Sequence, residues 1–309
     1  MALVLPNRKM GHSVVINPSR VDLNQSNAIL NGRNTQYSAI NFQGTLSIKC
    51  ILQGQAIYEA AGGRFAVTPN SYLILNNRQT YTMTIDSEET TETFCVFFRP
   101  SFAERILHSL VTPADRLLDD PYNFSQQLVL FFEKLHPHDA LITPHILALY
   151  NQTRQEGGDV GGYEERFYLL IHEMLSVHRN LYPQIDALPA LRSATRVELY
   201  RRLYRAKDFM EASCSQPLTL EHIAEVAWLS PYHFLRLYKQ VFGITPHRHL
   251  NHMRLENATR LLLSNDTPIS SIGIELGWDS HSSFSRAFRQ RYGVSPELFR
   301  RCKGILPAK

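Results

Sequence analysis

An internal repeat in the C-terminal third of the chain constrains its fold more than any other feature. Residues 218–246 (LTLEHIAEVAWLSPYHFLRLYKQVFGITP) align with residues 268–296 (PISSIGIELGWDSHSSFSRAFRQRYGVSP). Equivalent residues lie 49 positions apart before the turn and 50 apart after it. The second copy therefore has one extra residue in its turn, as a variable loop between fixed helices allows. The repeat predicts two helix-turn-helix units, at 218–243 and 268–293.

Each copy has the sequence signals of a short helix, a turn and a longer second helix. The first helices are predicted at 220–227 and 269–276, where apolar residues recur at helical spacing. Each first helix has a small residue where the two helices of a unit must approach closely. A serine precedes each second helix as an N-cap, and a glycine follows it as a left-handed C-cap. The small residues are Ala224 and Gly273, the N-cap serines are Ser230 and Ser280, and the C-cap glycines are Gly243 and Gly293.

The second helix of each copy has one apolar face and one polar face. Phe234 and Phe284 lie on the apolar faces and are predicted core residues. A polar face of this kind suits a DNA recognition helix, because Arg pairs with guanine, Gln and Ser read base edges, and other side chains hold phosphates. We therefore predict DNA-contacting faces. They consist of Tyr232, His233, Arg236, Lys239 and Gln240, and of His281, Ser282, Ser283, Ser285, Arg286, Arg289 and Gln290.

The distribution of charge agrees with a DNA-binding C-terminal part. Residues 190–309 contain 18 Lys or Arg and 10 Asp or Glu, a net charge of +8, whereas the preceding residues have a net charge of −4. A basic module joined to a mildly acidic one indicates that only the basic module meets a polyanion. A helix predicted from Thr245 or Pro246 to Ser264 joins the two units. Its length of roughly 25 Å compares with the roughly 34 Å between successive major-groove faces, once helix widths are added.

The N-terminal part has a different pattern. Between residues 27 and 98, short segments rich in Ile, Val, Thr and Tyr are separated by Gly, Asn and Pro, which predicts an antiparallel sandwich or small barrel. After Pro100 the apolar period becomes helical. The predicted helices are Ser101–Leu110, Asn123–Leu135, Pro144–Gln155 and Tyr163–Asn180. The predicted domains are 1–182, with a barrel at about 27–98 and helices within 100–180, a linker at 183–196, and a helical domain at 197–302.

The C-terminal part resembles the AraC/XylS family of bacterial transcription regulators. The strings IAEVAWLSPYHFLRLYKQVFGITP and GWDSHSSFSRAFRQRYGVSPELFR carry the resemblance, which covers about Leu199 to Arg300. It implies a seven-helix DNA-binding domain with two helix-turn-helix units in adjacent major-groove segments. The positions that approach bases in the family correspond here to Tyr232, Leu235, Arg236, His281, Ser282, Ser285 and Arg286. Leu235 departs from the usual polar residue, and a contact to a thymine methyl group is an alternative for it.

The N-terminal half is similar, less specifically, to the cupin-like effector domain of the same family. The fold class expected from both halves is α+β, with a cupin-like β-barrel and helices followed by an all-α double helix-turn-helix domain. The resemblance implies a small-molecule effector inside the barrel, to which no residues are assigned. It also implies a homodimer, formed through a helix such as Tyr163–Asn180, and contact with RNA polymerase. The expected function is an effector-responsive transcription regulator that binds double-stranded DNA.

An enzymatic function has little support in the sequence. The strand region 27–98 contains no histidine, although metal-dependent cupins need several, and there is no GxSxG, HExxH or Walker motif. The pairs His136/His138 and His247/His249 lack nearby further ligands for a metal. We expect no catalytic residue, no metal and no cofactor. The alternative is a DNA-repair or DNA-modifying protein with the same reader module, but its reactive cysteine or nucleophile elbow is not found.

The remaining expectations concern location. The first residues lack the pattern of a secretory signal, and no apolar run approaches the roughly 20 residues that a membrane span needs. The four cysteines have no CxxC spacing, which favours reduced thiols. We therefore expect a cytoplasmic protein without a membrane contact.

Overall fold

The computed structural model describes residues 2–4, 23–112, 129–154, 160–181, 185–189, 192–264 and 267–302. These residues belong to two compact units, Met1–Arg201 and Arg202–Lys309. The first is a nearly closed β-barrel with helices, and the second is helical. The predicted α+β fold class is thereby confirmed. Within the described residues, no helix is long and apolar enough to cross a membrane.

The barrel is built around one long, twisted strand, β7. Its C-terminal part pairs with β3, where Cys95 lies opposite Lys49, and its N-terminal part pairs with β4, where Met83 lies opposite Tyr58. Along its whole length it also pairs with β2, so one strand links both ends of the barrel. In chain order the strands are β1 (Ala2–Val4), β2 (Asn27–Gln43), β3 (Ser47–Gln53), β4 (Ala56–Ala60), β5 (Gly63–Val67), β6 (Ser71–Leu75), β7 (Thr80–Phe97) and β8 (Leu135–Pro137).

Alternation along β7 divides the core of the first unit into two faces. Phe94 and Val96 point to the side that packs against helices, whereas Cys95 and Phe97 point to the other side, toward Leu30. The helices are α1 (Phe102–Val111), α2 (Thr143–Arg154) and α3 (Val160–Arg179). Both faces of the strand are covered, which explains why this segment of the sequence is almost continuously apolar.

The apolar stripe of α3 belongs to the core of its own chain. Its members are buried against the barrel, and the rings of Phe98 and Phe167 meet edge to face with their centroids 5.9 Å apart. Tyr168 and Leu169 are the large apolar residues that this helix leaves exposed. The buried stripe consists of Phe167, Leu170, Ile171, Met174 and Leu175.

The predicted helix Asn123–Leu135 is wrong over its described part. Residues 129–134 are not helical, and Leu135 begins β8, which pairs with β6. A side-chain clamp holds the segment extended, because the Phe131 amide donates to Asn76 Oδ1 at 2.8 Å and Asn76 Nδ2 donates to the Phe131 carbonyl at 3.0 Å. These long-range hydrogen bonds stabilise the extended backbone, although the spacing of apolar residues favours a helix. Residues 123–128 of the predicted helix lie outside the described residues.

The second unit consists of packed helices. The connecting helix α7 begins at Pro246 and ends at Ser264, as the sequence predicts. Helix α4 begins at Ser193, within the predicted linker, and spans the division between the two units. The helices are α4 (Ser193–Ala212), α5 (Leu220–Val226), α6 (Pro231–Phe242), α7 (Pro246–Ser264), α8 (Ile269–Glu275), α9 (His281–Tyr292) and α10 (Pro296–Arg301).

Candidate nucleic-acid interface

The first helix-turn-helix unit consists of α5 and α6. Thr219 caps α5, since its hydroxyl oxygen accepts a hydrogen bond from the His222 amide at 3.2 Å. Ser230 is the N-cap residue of α6, as predicted, but its side chain makes no capping hydrogen bond. The helix ends at Gly243, whose φ of 73° is left-handed, so glycine is the residue that fits there without strain.

The second helix-turn-helix unit consists of α8 and α9 and is built in the same way. Here Ser280 caps fully, because its hydroxyl oxygen accepts a hydrogen bond from the Ser283 amide at 3.2 Å. The Ser283 hydroxyl in turn donates to the Ser280 carbonyl at 2.8 Å. Helix α9 ends at Gly293, with a φ of 79°. Both predicted C-caps are therefore confirmed.

The two helices of each unit approach closely at the predicted small residue. Ala224 is fully buried in the first unit. In the second unit, a Cβ added to Gly273 would lie 3.1 Å from Cβ, Cγ and Cδ1 of Phe284. Because that distance is shorter than an ordinary van der Waals contact, only glycine fits the approach without movement of Phe284.

The extra residue of the second turn is Asp279. The amides of Leu229 and Trp278 donate to the carbonyls of Ala224 and Gly273 at 3.1 and 3.0 Å, so the two turns are equivalent up to that point. Asp279 then precedes the N-cap serine in the second copy only. The insertion changes the turn and leaves the paired helices alike.

The predicted DNA-contacting residues lie on the outer faces of α6 and α9. Tyr232 is 80% exposed, and Leu235 is 36% exposed. Three of the predicted residues, His233, Ser283 and Ser285, are half-buried, and the Ser283 hydroxyl is used in the helix cap. The exposed ones are Tyr232, Leu235, Arg236, Lys239, Gln240, His281, Ser282, Arg286, Arg289 and Gln290.

These faces are basic. Among the described residues, no carboxylate lies within ion-pair distance of Arg236, Lys239, Arg286 or Arg289. Their charges are therefore directed to solvent and available to a polyanion. The ion pairs described in this unit join Lys207 to acidic neighbours and lie on a different helix, α4.

Arg254, on α7, connects two loops of the helical unit Arg202–Lys309. Its side chain is only 8% exposed. Nε donates to the Cys214 carbonyl at 2.7 Å, Nη2 to the Gln216 carbonyl at 2.9 Å, and Nη1 to the Gly277 carbonyl at 2.8 Å. One guanidinium thus holds the chain before α5 and the turn after α8 to the connecting helix. The 19 residues of α7 span about 28 Å, which sets the separation of the two helix-turn-helix units.

The histidines at the start of α7 have different surroundings. His247 and Arg248 are exposed, whereas His249 Nδ1 lies 2.8 Å from the Tyr238 hydroxyl. Burial, with the nearby charges of Lys207 and His252, lowers the pKa of His249 to about 4. The described residues contain no group of three or more His, Cys, Asp or Glu side chains arranged to hold a metal.

All four cysteines of the chain lie within the described residues. Cys50, Cys95 and Cys214 are buried, and Cys302 is half-buried. Burial raises the pKa of the Cys50 and Cys214 thiols. A nucleophilic cysteine needs the opposite shift, so these two thiols do not support a DNA-modifying activity.

Sequence reasoning missed two features of the interface region. Trp228 is 75% exposed in the first turn with a φ of 55°, where the second copy has Gly277. A tryptophan at a position that favours glycine is a local signal that could have identified it. Arg254 gave no such signal, because its three acceptors are backbone carbonyls from distant parts of the sequence.

Comparison with known proteins gives matches for both units. Residues 29–150 match a family model described as AraC-like ligand binding domain, and residues 223–302 match one described as helix-turn-helix domain. The regulatory protein PocR of Salmonella typhimurium is 36% identical over 99 residues, which are 32% of this chain and 33% of the relative. The MmsAB operon regulatory protein of Pseudomonas aeruginosa is 32% identical over 139 residues, which are 45% of this chain and 43% of the relative.

A similar solved structure is the C-terminal domain of AraT, a response regulator from Geobacillus stearothermophilus. It is 39% identical, with a TM-score of 0.32, and the match covers 33% of this chain and 84% of that chain. The match to each of the two curated relatives spans less than half of that relative's length.

Proposed function

We propose that this chain, which belongs to the AraC/XylS family, is a sequence-specific DNA-binding transcription regulator that responds to a small-molecule effector. The observation that carries the proposal is the pair of matched helix-turn-helix units, each with an outward basic face. A single basic helix is common on proteins that bind no nucleic acid. Two copies separated by a helix of about 28 Å are compatible with successive major-groove segments of double-stranded DNA.

The proposed roles follow from side-chain chemistry and exposure. Arg236 and Arg286 read bases, since each is exposed in the second turn of its helix and Arg makes bidentate contacts with guanine. Lys239 and Arg289, one turn further on, hold phosphates. The remaining positions complete the surface: Tyr232, His233 and Leu235 in the first unit, and His281, Ser282, Ser283 and Ser285 in the second.

We propose a division of work between two domains. Residues 1–182 bind the effector and form a homodimer, residues 183–196 link, and residues 197–302 read DNA. Because the apolar stripe of α3 is covered by its own chain, a dimer contact at this helix would use Tyr168 and Leu169 instead. Regulation would proceed through contact with RNA polymerase or through occlusion of a promoter. The proposed target, the bacterial chromosome, lies in the cytoplasm.

The first experiment is retention of sheared genomic DNA of the host by the purified full chain, followed by sequencing of the retained fragments. The proposal expects a motif of two blocks about one helical turn apart. Retention of random fragments, with an affinity that collapses in moderate salt, would mean phosphate binding alone and would contradict sequence-specific binding by the effector-free chain.

The second experiment assigns the base-reading residues on the recovered motif. Arg236→Ala and Arg286→Ala are each expected to weaken specific binding by about 1–3 kcal/mol, roughly 5- to 150-fold, and to relax preference at one block. Arg301→Ala is the matched control, because this arginine is exposed on α10 and outside both predicted faces. Unchanged affinity and base preference in both recognition-helix variants would refute the assignment.

A further inference from the structure

The barrel of the first unit contains a partly open cavity of about 70 Å³. Its wall is mostly aromatic and apolar, and none of its lining residues is acidic. This volume is several times the roughly 10–15 Å³ that one water needs, so the cavity admits a small organic ligand. The aromatic and apolar residues that matter here are Tyr37, Phe42, Tyr58, Tyr81, Met83 and Phe97.

One cation, Lys49, lines this cavity. Its side chain is 1% exposed. Nζ donates to the Tyr81 hydroxyl at 3.1 Å and lies 3.7 Å from the centroid of the Phe97 ring. An ammonium group has three donors, and among the residues that the structure describes Tyr81 is its hydrogen-bond acceptor. The ammonium group therefore lies at the cavity wall with N–H donors that have no acceptor among the described residues.

A buried ammonium without an acidic partner is costly for a folded protein. The aromatic rings offset part of that cost through cation–π attraction. Burial lowers the pKa of Lys49 to about 8, while Cys95 and Cys50 act in the opposite direction. The group thus remains mostly charged at neutral pH. Replacement of Lys49 by an apolar residue would avoid this cost, so its presence in an otherwise apolar cavity indicates a use for the charge.

A second unsatisfied group lines the same cavity. Asn34 is 8% exposed, and its Oδ1 has no hydrogen-bond partner among the described residues. The pairing of β2 with β7 shifts register between Asn34 and Gln36, so the strand is irregular at this point. Irregularities of this kind redirect side chains and occur next to binding sites. The cavity therefore offers a cation and a carbonyl acceptor in an aromatic wall.

Building on the proposed effector-responsive function, we infer that the effector is a small monocarboxylate that also carries a hydroxyl group. Its carboxylate pairs with the Lys49 ammonium, and its hydroxyl donates to Asn34 Oδ1. The aromatic wall covers the short carbon chain between them. Such a ligand supplies the missing counter-charge and the missing donor, which a neutral ligand or a cation does not.

The test measures calorimetric binding of 3-hydroxybutanoate, 4-hydroxybutanoate and butanoate to the full chain, each compared with its primary amide. At least one acid is expected to bind ten or more times more tightly than its amide. Lys49→Met and Lys49→Gln are expected to abolish that preference. Lys134→Met is the matched control, because Lys134 is also buried in the first unit but bonds to Tyr200 and does not line the cavity.

The inference is overturned if no acid is preferred over its amide by wild type, or if the preference survives in both Lys49 variants. The comparison of acid with amide in wild type needs no variant, so a variant that fails to fold does not remove the test. DNA retention is measured on the same preparations with and without each acid. If wild type retains a DNA motif but shows no preference for an acid, the ligand class alone is refuted. If wild type retains no motif, the proposed function is refuted.

Discussion

Replacement of Arg254 by methionine tests whether one buried guanidinium holds the DNA-binding unit together. The substitution keeps most of the aliphatic volume and removes all three hydrogen bonds to the carbonyls of Cys214, Gln216 and Gly277. Of the three residues whose carbonyls lose this donor, Cys214 is buried, Gly277 is half-buried and Gln216 is exposed, so water reaches the Gln216 carbonyl most easily. The variant isolates the charge and its bonds from the packing of the side chain.

The magnitude follows from two opposing contributions. An unsatisfied buried carbonyl costs about 1–3 kcal/mol, so those of Cys214 and Gly277 together cost roughly 2–6 kcal/mol, and the exposed Gln216 adds little. The guanidinium no longer has to be desolvated, which returns several kcal/mol, and water reaches part of the site. We expect Arg254→Met to lower the free energy of unfolding by about 2–3 kcal/mol. Arg254→Lys, which cannot bond three acceptors in a fork, is expected to recover less than half of that.

Tryptophan fluorescence during urea denaturation measures this unit selectively. The chain has two tryptophans, Trp228 and Trp278, and both lie in the second unit. Trp278 is half-buried beside Phe284, with ring centroids 6.2 Å apart, so its emission changes when the unit unfolds. Arg301→Met is the control, because Arg301 is exposed and the change should stay within about 0.5 kcal/mol.

A loss below about 1 kcal/mol for Arg254→Met, with an unchanged dependence on urea, would refute the reasoning. It would mean that the three carbonyls are satisfied equally well by water and that the guanidinium is not needed to hold the turns. An equal loss in Arg301→Met would point to the net charge of the unit instead of these bonds.

Three further predictions concern the same unit and the same fluorescence measurement. Gly273→Ala is expected to destabilise by about 1 kcal/mol, because overpacking against Phe284 costs more than the gain in helix propensity; increased stability would contradict the close approach. Ser280→Ala should cost about 1 kcal/mol and Ser230→Ala much less, since only Ser280 makes a side-chain cap; equal losses would contradict this. The pKa of His249 is about 4 in the folded unit against its usual 6.5, so the unfolded state binds the proton more readily. Stability should therefore fall as pH is lowered from about 6.5 to 4, and an unchanged slope in His249→Gln would refute this cause.

The helix-turn-helix units could be predicted from sequence because their determinants are local. The helix ends at Gly243 and Gly293 and the small residue at Gly273 depend on backbone conformation and on neighbours within about a dozen residues. Because the unit is repeated, each of these sequence signals occurs twice. The proposed DNA-contacting positions followed from the same periodicity, because a helix with one buried face leaves the other to solvent.

Long-range pairing decided what local patterns could not. The spacing of residues 123–135 is helical, yet Asn76 clamps Phe131 from 55 positions away and β6 recruits β8, so the described part is extended. Local propensity amounts to a fraction of a kcal/mol per residue, and a few tertiary bonds outweigh it.

The sequence by itself determined the two-part organisation, the apolar faces and the ends of the repeated helices. Only the tertiary structure placed Lys49 opposite Cys95 in an aromatic cavity, and only it brought Cys214, Gln216 and Gly277 to Arg254. The physical reason is the same in both cases. The local sequence predicts that a charged side chain lies on the surface. Its burial depends on partners that only the folded chain brings together.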